Sequence, residues 1–303
     1  MLRITNQNTH CALVPAGDFR RINDYWKNEV HAGRSSRHTL HDPRPAVHLS
    51  GFFPAGNRLQ PIRPLCRLPP LRVPYKSGFV ILWPLCLHFL MKFKHIIWDW
   101  NGTLWDDTWL CTDINNHMLE RRGLPRIDIR VYRDKLIFPV DQYYCQLGFD
   151  YSKDPYNVLA EEFIEEYTDR RFSCPLHAGA RELIAELQTL NVPQAVLSAY
   201  QHDTLIEALN HFQLLNCFDE VIGLNDIYAA GKVENGLRYI GNLKTDPSEV
   251  LFIGDTLHDF EVATAMGVNC ALVAHGHNSR PRLESTGAPV FDDIARLRGY
   301  ILG

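Results

Sequence analysis

The stretch that most constrains this chain runs from residue 95 to residue 107, where a short apolar pattern stops at an acidic residue. Residues 96–98 are Ile-Ile-Trp, a run that fits a buried strand, and Gly102 breaks the pattern soon after Asp99. We therefore expect Asp99 at the carboxyl end of a strand, the edge of an open α/β sheet where ligands bind. A carboxylate there can face a substrate or cap the following turn, and this segment alone does not decide between the two.

Downstream of Cys174, the sequence alternates between short apolar runs and helical patterns. The runs predict buried strands at residues 193–197, 220–223, 250–253 and 270–273, with a last short strand near Val290. Strands that alternate with helices predict an α/β protein with a mostly parallel, Rossmann-like sheet that carries helices on both faces.

Before that region, apolar residues recur at helical spacing in three segments. These segments are residues 109–119, 140–147 and 156–171. We predict that residues 104–173 form an inserted α-helical cap over the strand ends. The α/β core is then expected to consist of residues 91–103 and 174–303.

Residues 1–90 differ from the rest of the chain in charge and composition. They hold 12 Lys and Arg against 4 Asp and Glu, and 10 of the 18 prolines, with no sustained helical or strand period. Such a segment buries little, so we expect it to be disordered or absent from a native protein that begins at Met91. A basic arm that attracts anions is the alternative. Residues 91–303 hold 19 basic against 31 acidic residues, which argues against a nucleic-acid partner.

The sequence also bears on membrane attachment and on compartment. The apolar run of residues 78–91 is shorter than the roughly 20 residues of a membrane helix, and Pro84 and His88 interrupt it, so no membrane partner is predicted. Eight cysteines without a Cys-Xaa-Xaa-Cys pair predict reduced thiols and a cytoplasmic protein. The sequence does not indicate an oligomeric state.

Two acidic residues follow the predicted strand at residues 250–253. Asp255 and Asp259 are four residues apart, which places both carboxylates on one face of the first turn of a helix. Unpaired carboxylates there would repel each other, and a magnesium ion, which takes oxygen ligands, would remove the conflict. The alternative is that both acids cap the helix N-terminus.

The hexapeptide at residues 99–104, Asp-Trp-Asn-Gly-Thr-Leu, resembles the first motif of the haloacid dehalogenase superfamily of phosphohydrolases, usually Asp-Xaa-Asp-Gly-Thr-Leu. Ser198 and Lys232 match the second and third motifs, and the acid pair follows in the order of the family. The resemblance covers roughly residues 91–303 and is nearest to the phosphoglycolate-phosphatase-like branch with a helical cap. The ordinary alternatives are a helix cap for Ser198 and a solvated side chain for Lys232.

The resemblance implies phosphoryl transfer through an aspartyl-phosphate formed on Asp99. It implies that Mg²⁺ is bound by Asp99, Asp255 and the backbone carbonyl of Asn101, while Asp259 orients metal-bound water or Lys232. It further implies that the phosphate is held by Gly102, Thr103, Ser198 and Lys232. The catalytic residues would then be Asp99, Asn101 and Lys232, and the partner a small phosphorylated metabolite.

Asn101 departs from the family pattern, which usually has a second Asp at this position. That Asp protonates the leaving alcohol, whereas an amide has no proton to give. Losing a general acid typically costs about 10² to 10⁴ in rate. The consequence is a phosphatase that is slow or specialised for leaving groups needing little protonation, unless His258 or a cap residue substitutes.

Two other interpretations of Asn101 stay open. Phosphonate hydrolases also lack the second Asp, but they need a cap lysine as a Schiff base, which only Lys135 or Lys153 could supply. A phosphate-ester-binding or regulatory protein with weak turnover is the other alternative. Arg130, Arg133 and Lys135 could bind the carboxylate of a substrate such as phosphoglycolate, although such a cluster is more often a solvated face.

Overall fold

The computed structural model describes residues 71–75, 78–82, 91–224 and 231–303. Leu71–Tyr75 (β1) and Gly78–Leu82 (β2) pair as an antiparallel two-stranded sheet, which the sequence pattern did not indicate. The other positions of residues 1–90 lie outside the described residues, so the expectation of disorder, or of a native start at Met91, stays a prediction.

The centre of the molecule is a six-stranded sheet in which every described pair of neighbouring strands is parallel. The spatial order is β5-β4-β3-β6-β7-β8. The strands are His95–Trp98 (β3), Gln194–Gln201 (β4), Glu220–Leu224 (β5), Val250–Gly254 (β6), Asn269–Val273 (β7) and Val290–Phe291 (β8). The predicted parallel α/β sheet is therefore confirmed.

The strand that ends at Asp99 lies between two others. In β3, Trp98 pairs with Val196 of β4 on one side and with Ile253 of β6 on the other. All four residues of β3 are buried, as expected for a strand covered on both faces. Because the three strands run parallel in this register, their carboxyl ends lie together at one edge of the sheet.

Residues 91–224 are described without a gap, and four α-helices lie between β3 and β4. They are Thr108–Arg121 (α1), Ile129–Lys135 (α2), Val140–Leu147 (α3) and Tyr156–Arg170 (α4). The sequence predicted three of them and missed α2, which buries only Tyr132 and so shows no apolar period. A local signal existed, because the side chain of Asp128 caps α2 by accepting the Val131 N–H.

The remaining helices cover the two faces of the sheet. They are Ala180–Thr189 (α5), His202–His211 (α6), Gly231–Asn242 (α7), Leu257–Met266 (α8), Arg280–Glu284 (α9) and Ile294–Leu302 (α10). Ile96 packs in one core cluster with α5 and α10, whereas Ile97 packs in a second cluster with α7 and α8. This alternation along β3 is that of a Rossmann-like sheet between two helical layers.

Two further predictions can be compared with the described residues. None of the helices in this part of the chain combines the length and the apolar character needed to cross a bilayer. Cys111, Cys174, Cys217 and Cys270 are free thiols, as predicted. Cys145 is disulfide-bonded, so the prediction of reduced thiols is wrong at that position.

Candidate active site

Asp99 directly follows β3 and lies at the edge where the central strands end. Its backbone N–H donates to the carbonyl of Ile253 at 2.8 Å, which extends the pairing with β6 by one residue. The residue is 6% exposed, and its side chain borders a cavity. Asp99 is therefore held rigidly by the sheet while its carboxylate still reaches a space that a ligand can enter.

Lys232, in the first turn of α7, lies between two carboxylates. Its Nζ is 2.5 Å from Asp99 Oδ1 and 2.5 Å from Asp259 Oδ1. All three side chains are buried, which makes their mutual interaction much stronger than that of a surface pair. Lys232 is thus not the solvated lysine that its position at a helix start would ordinarily indicate.

Asp255 completes a group of three acids at this edge. Thr103 Oγ1 donates to Asp255 Oδ1 at 2.8 Å and lies 3.3 Å from Asp99 Oδ2. Carboxylate oxygens of Asp99, Asp255 and Asp259 lie within 4.8 Å of one another. Three carboxylates around one ammonium leave an excess of negative charge in a buried site.

The pKa values reflect this excess. Burial raises the pKa of Asp99 to about 8, with Asp259 and Asp255 adding to the shift and Lys232 opposing it. Burial also raises the pKa of Asp255 to about 6, although nearby His277 lowers it. An oxygen-only donor set that is short of positive charge is the chemistry that suits Mg²⁺, so Asp99 and Asp255 fit the predicted metal ligands.

Asp259 is held differently from the other two acids. Its Oδ2 accepts the backbone N–H groups of Asp255 and Thr256 and the Thr256 hydroxyl, forming a capping box at the start of α8. Its Oδ1 accepts the bond from Lys232. Asp259 thus makes the contact with Lys232 that its predicted orienting role requires, and it also caps the helix, which was the structural alternative.

Ser198 borders the same cavity, within β4, which runs on to Gln201 instead of ending at Leu197 as predicted. The serine is 2% exposed, and its Oγ accepts the backbone N–H of Tyr200 at 3.1 Å. The helix that follows is capped by the side chain of Gln201. Ser198 is therefore not the helix cap that was its ordinary alternative.

Two glycines allow the chain to pack against Asp255. Gly102 has φ +72°, and a methyl group built on Gly102 or on Gly276 would overlap Asp255 Oδ2. The backbone N–H of His277 donates to the same oxygen at 2.5 Å. The loop after β7, which the sequence did not single out, thus forms one wall of the candidate metal site.

Asn101 is committed to neighbours in the protein. Its Nδ2 donates to Asp107 Oδ2 at 2.8 Å and to the hydroxyl of Tyr167 at 2.9 Å. The Tyr167 hydroxyl in turn donates to Asp107 Oδ2 at 2.7 Å. Both amide hydrogens of Asn101 are therefore engaged, and neither is free to bind the oxygen of a leaving group.

The sequence interpretation also missed a second buried pair behind Asn101. Asp107 Oδ1 lies 3.2 Å from His277 Nε2, and Tyr132 OH lies 3.0 Å from His277 Nδ1. Burial alone would lower the pKa of His277, but Asp107 raises it to about 9. Cys111 Sγ lies near Asp107 and His277, so the three could in principle hold a metal ion. Burial keeps the pKa of this thiol far above its usual range, which disfavours the thiolate that a metal would need. We therefore interpret Asp107 and His277 as an ion pair.

A cavity of about 330 Å³ connects these residues to the helices that follow β3. At the sheet edge it is bordered by five predicted site residues: Asp99, Asn101, Ser198, Lys232 and Asp259. Gly102, Thr103 and Asp255 do not line it, and Thr103 and Asp255 are fully buried below it. The predicted residues are thus brought together, five of them at the cavity and Thr103 and Asp255 buried next to Asp99.

The basic residues at positions 130, 133 and 135 bind to the protein itself. Arg130 pairs with Asp128 at 3.1 Å, Arg133 donates to the backbone carbonyl of His275, and Lys135 donates to the carbonyl of Gln146. None of the three lines the cavity. The contact between this cluster and a substrate carboxylate stays a prediction, and the lining of the cavity does not support it.

The residue order, the parallel sheet and the clustered acids are matched by a known family. Residues 96–273 match the sequence model of the family described as haloacid dehalogenase-like hydrolase. This chain belongs to that family.

Particular relatives include two kinds of phosphatase. A phosphoglycolate phosphatase of Pseudomonas syringae pv. tomato is 28% identical over 137 residues, which cover 45% of this chain and 50% of that protein. An N-acetylmuramic acid 6-phosphate phosphatase of Pseudomonas putida is 26% identical over 198 residues, covering 62% of this chain and 85% of that protein. The chain thus spans about half the length of the phosphoglycolate phosphatase.

A solved structure shows the same fold. The haloacid dehalogenase-like protein of unknown function from Agrobacterium tumefaciens superposes with a TM-score of 0.59 at 18% identity. The match covers 69% of this chain and 97% of the other.

Proposed function

We propose that this protein is a Mg²⁺-dependent phosphatase that hydrolyses a small phosphate monoester through an aspartyl-phosphate on Asp99. The observation that carries the proposal is the position of Asp99. It lies 2.5 Å from the ammonium of Lys232 and within 4.8 Å of the Asp255 carboxylate, at the edge of a cavity. A nucleophile, a cation and a candidate metal site are needed around one phosphorus atom.

In this mechanism, the carboxylate of Asp99 attacks phosphorus while the bond to the leaving oxygen breaks. The ammonium of Lys232 stabilises charge on the equatorial oxygens, and Gly102, Thr103 and Ser198 are proposed to hold the phosphate. Asp99, Asp255 and the Asn101 carbonyl are proposed to hold Mg²⁺, which supplies further neutralisation of the phosphate. Water then hydrolyses the aspartyl-phosphate and restores Asp99.

The weak point of the site is proton transfer. Asn101 has no proton to give, and its amide is already bonded to Asp107 and Tyr167. His258 lines the cavity, and its Nε2 has no hydrogen-bond partner among the residues described. Unless His258 supplies the proton, the site supports phosphoryl transfer to Asp99 more strongly than protonation of a basic leaving group.

The test measures phosphate release from a panel of monoesters with Mg²⁺ and with EDTA. We expect release only with Mg²⁺, and we expect Asp99→Asn to abolish it, because Asp99 is the group proposed to form the phosphoenzyme. Lys135→Ala is the matched control, since Lys135 lies outside the cavity, and should retain full activity. Activity that survives Asp99→Asn, or equal rates in EDTA, would contradict the proposal.

A binding protein with weak turnover is the second candidate, and the engaged amide of Asn101 favours it. In the same panel it would give Mg²⁺-dependent binding without product. A phosphonate hydrolase has less support. Lys153 pairs with Asp150 at 3.3 Å and is largely exposed, Lys135 bonds to Gln146, and neither lysine lines the cavity.

A further inference from the structure

We propose that the substrate is an aryl phosphate monoester, in which the phosphate is carried by the oxygen of an aromatic ring. This inference rests on the proposed phosphatase function and names the substrate class of the same site. Two independent features carry it, namely the chemical nature of the cavity wall and the state of Asn101.

The cavity wall is aromatic. The rings that line it, mostly from α2, α3 and α4, are Tyr132, Phe138, Tyr143, Tyr144, Tyr156, Phe163, Tyr167 and Tyr200. Several are packed against each other: Phe163 stacks on Tyr167 with centroids 5.8 Å apart, and Tyr132 meets Tyr143 edge to face at 5.8 Å. A wall of mutually packed rings offers both faces and edges to a further ring.

None of the described cavity-lining residues between positions 111 and 168 is charged. The polar groups among them are hydroxyl, amide and thiol groups. The described charged groups of the cavity all lie at the sheet edge or beside it, and Lys232 and His277 are already paired there with acids. A second anionic group on the substrate, such as the carboxylate of phosphoglycolate, would be desolvated here without a partner, which costs free energy. An aromatic ring would meet no such penalty.

The size of the cavity agrees with this class. An apolar cavity of about 150 Å³ is enough to bind benzene. The cavity here measures about 330 Å³ and extends from the rings of the wall to Asp99. It therefore has room for one aromatic ring together with a phosphate group.

The chemistry of the leaving group points in the same direction. A phenol ionises near a pKa of about 10, whereas an aliphatic alcohol lies closer to water, at about 15.7. When the bond between phosphorus and the aryl oxygen breaks, the electron pair leaves as a phenolate, which takes its proton from water afterwards. A site whose Asn101 cannot donate a proton can release a phenolate far more readily than an alkoxide.

The test compares three substrates of the full-length protein with Mg²⁺: phenyl phosphate, benzyl phosphate and 2-phosphoglycolate. Benzyl phosphate has the aromatic ring, but its leaving group is an aliphatic alcohol. It therefore separates binding of the ring from the ease with which the leaving group departs. We expect KM to be similar for the two ring-bearing esters, kcat for benzyl phosphate to be lower by about 10² to 10⁴, and phosphoglycolate to be the poorest in kcat/KM. Asn101→Asp should raise kcat for benzyl phosphate at least about tenfold and leave phenyl phosphate within about twofold, because only the alkoxide needs the proton.

Two variants of α4 test the wall itself. Phe163→Leu should reduce kcat/KM for phenyl phosphate by about 2- to 13-fold, since a ring-stacking contact is worth about 0.5 to 1.5 kcal/mol. Val158→Ala, on the same helix but exposed and outside the cavity, is the control and should have no effect. Phosphoglycolate turned over as well as phenyl phosphate, or equal effects of the two variants, would overturn the proposal.

A binding measurement separates this inference from the proposed function. The Asp99→Asn protein, which cannot form the phosphoenzyme, is titrated with phenyl phosphate and with phosphoglycolate in Mg²⁺. Tighter binding of phenyl phosphate supports the aryl class even if the wild-type protein turns over nothing, an outcome that would refute only the phosphatase. Equal or weaker binding of phenyl phosphate overturns the aryl class even if the wild-type protein is an active phosphatase.

Discussion

At the scale of single residues, the candidate site depends on an imbalance of charge. Asp99, Asp255 and Asp259 are buried together, and Lys232 is the ammonium that contacts Asp99 and Asp259. The raised pKa values of Asp99 and Asp255 follow from burial and from this shortage of positive charge. A divalent cation would relieve the shortage by replacing protons.

This imbalance predicts how Mg²⁺ affects stability at different pH. The folded pKa values of about 8 for Asp99 and about 6 for Asp255 exceed the unfolded value of 3.8. Without metal, the folded state holds more protons than the unfolded state, so the contribution of these acids falls as pH rises through 6 and then 8. Mg²⁺ binds the deprotonated acids, so the increase in Tm that it causes should grow over the same range.

Thermal unfolding with and without Mg²⁺ from about pH 5 to about pH 9 checks this prediction. The raised pKa of His277 adds stability that is lost as pH rises toward about 9, but it does so in both samples and largely cancels in the difference. Asp255→Asn should remove most of the Mg²⁺ effect. An effect of Mg²⁺ that is constant or that shrinks with pH would contradict the assignment of these acids as ligands.

At the scale of elements, the site is assembled by loops that follow β3, β6 and β7. Asp99 follows β3, Asp255 follows β6, and Gly276 lies in the loop after β7. These strands are neighbours or next neighbours in the sheet, and their parallel pairing brings the three loops to one edge. The glycine is required because its loop passes directly over the Asp255 carboxylate.

Gly276→Ala should therefore damage the site. A methyl group at this position would overlap Asp255 Oδ2, so we expect a loss of about 1 to 3 kcal/mol in the free energy of unfolding and weaker Mg²⁺ binding. Gly299→Ala in α10 is the control, because nothing lies within 4 Å of the added methyl group and a helical alanine should stabilise by about 0.4 to 1 kcal/mol. Urea unfolding and Mg²⁺ titration measure both effects. Equal stabilities for the two variants would contradict this prediction, because they would show that the loop at Gly276 can move away from Asp255 without loss of stability.

At the scale of the whole molecule, the described residues from 91 onward contain all six strands of the large sheet and the helices that border the cavity. We therefore predict that a protein lacking residues 1–90 keeps its fold and its Mg²⁺-dependent activity, with Tm within about 4 °C of the full chain, equivalent to about 2 kcal/mol or less. Both proteins are compared in reducing buffer so that Cys145 is a thiol in each. A large fall in Tm, or lost activity, would show that the first ninety residues belong to the working protein.

The sequence by itself determined the sheet and most of the predicted site. Apolar runs broken by glycine are local signals, and they placed Asp99 and Asp255 directly after their strands, with the parallel sheet that brings them together. The short helix α2 escaped prediction because one buried residue gives no period. The strands of the hairpin β1–β2 escaped because the residues around them show no sustained pattern.

Only the tertiary structure decided what surrounds Asn101. The contact of Tyr132 with His277 joins positions 145 residues apart, and that of Tyr167 with Asp107 joins positions 60 apart. Their side chains carry no pattern that marks them as neighbours, because such contacts arise from how the helices pack over the strand ends. The aromatic cavity depends on the same packing. Local sequence patterns thus specified the acidic residues at the strand ends, because each pattern involves residues close together in the chain. Packing between distant segments specified the aromatic cavity that is proposed to select the substrate.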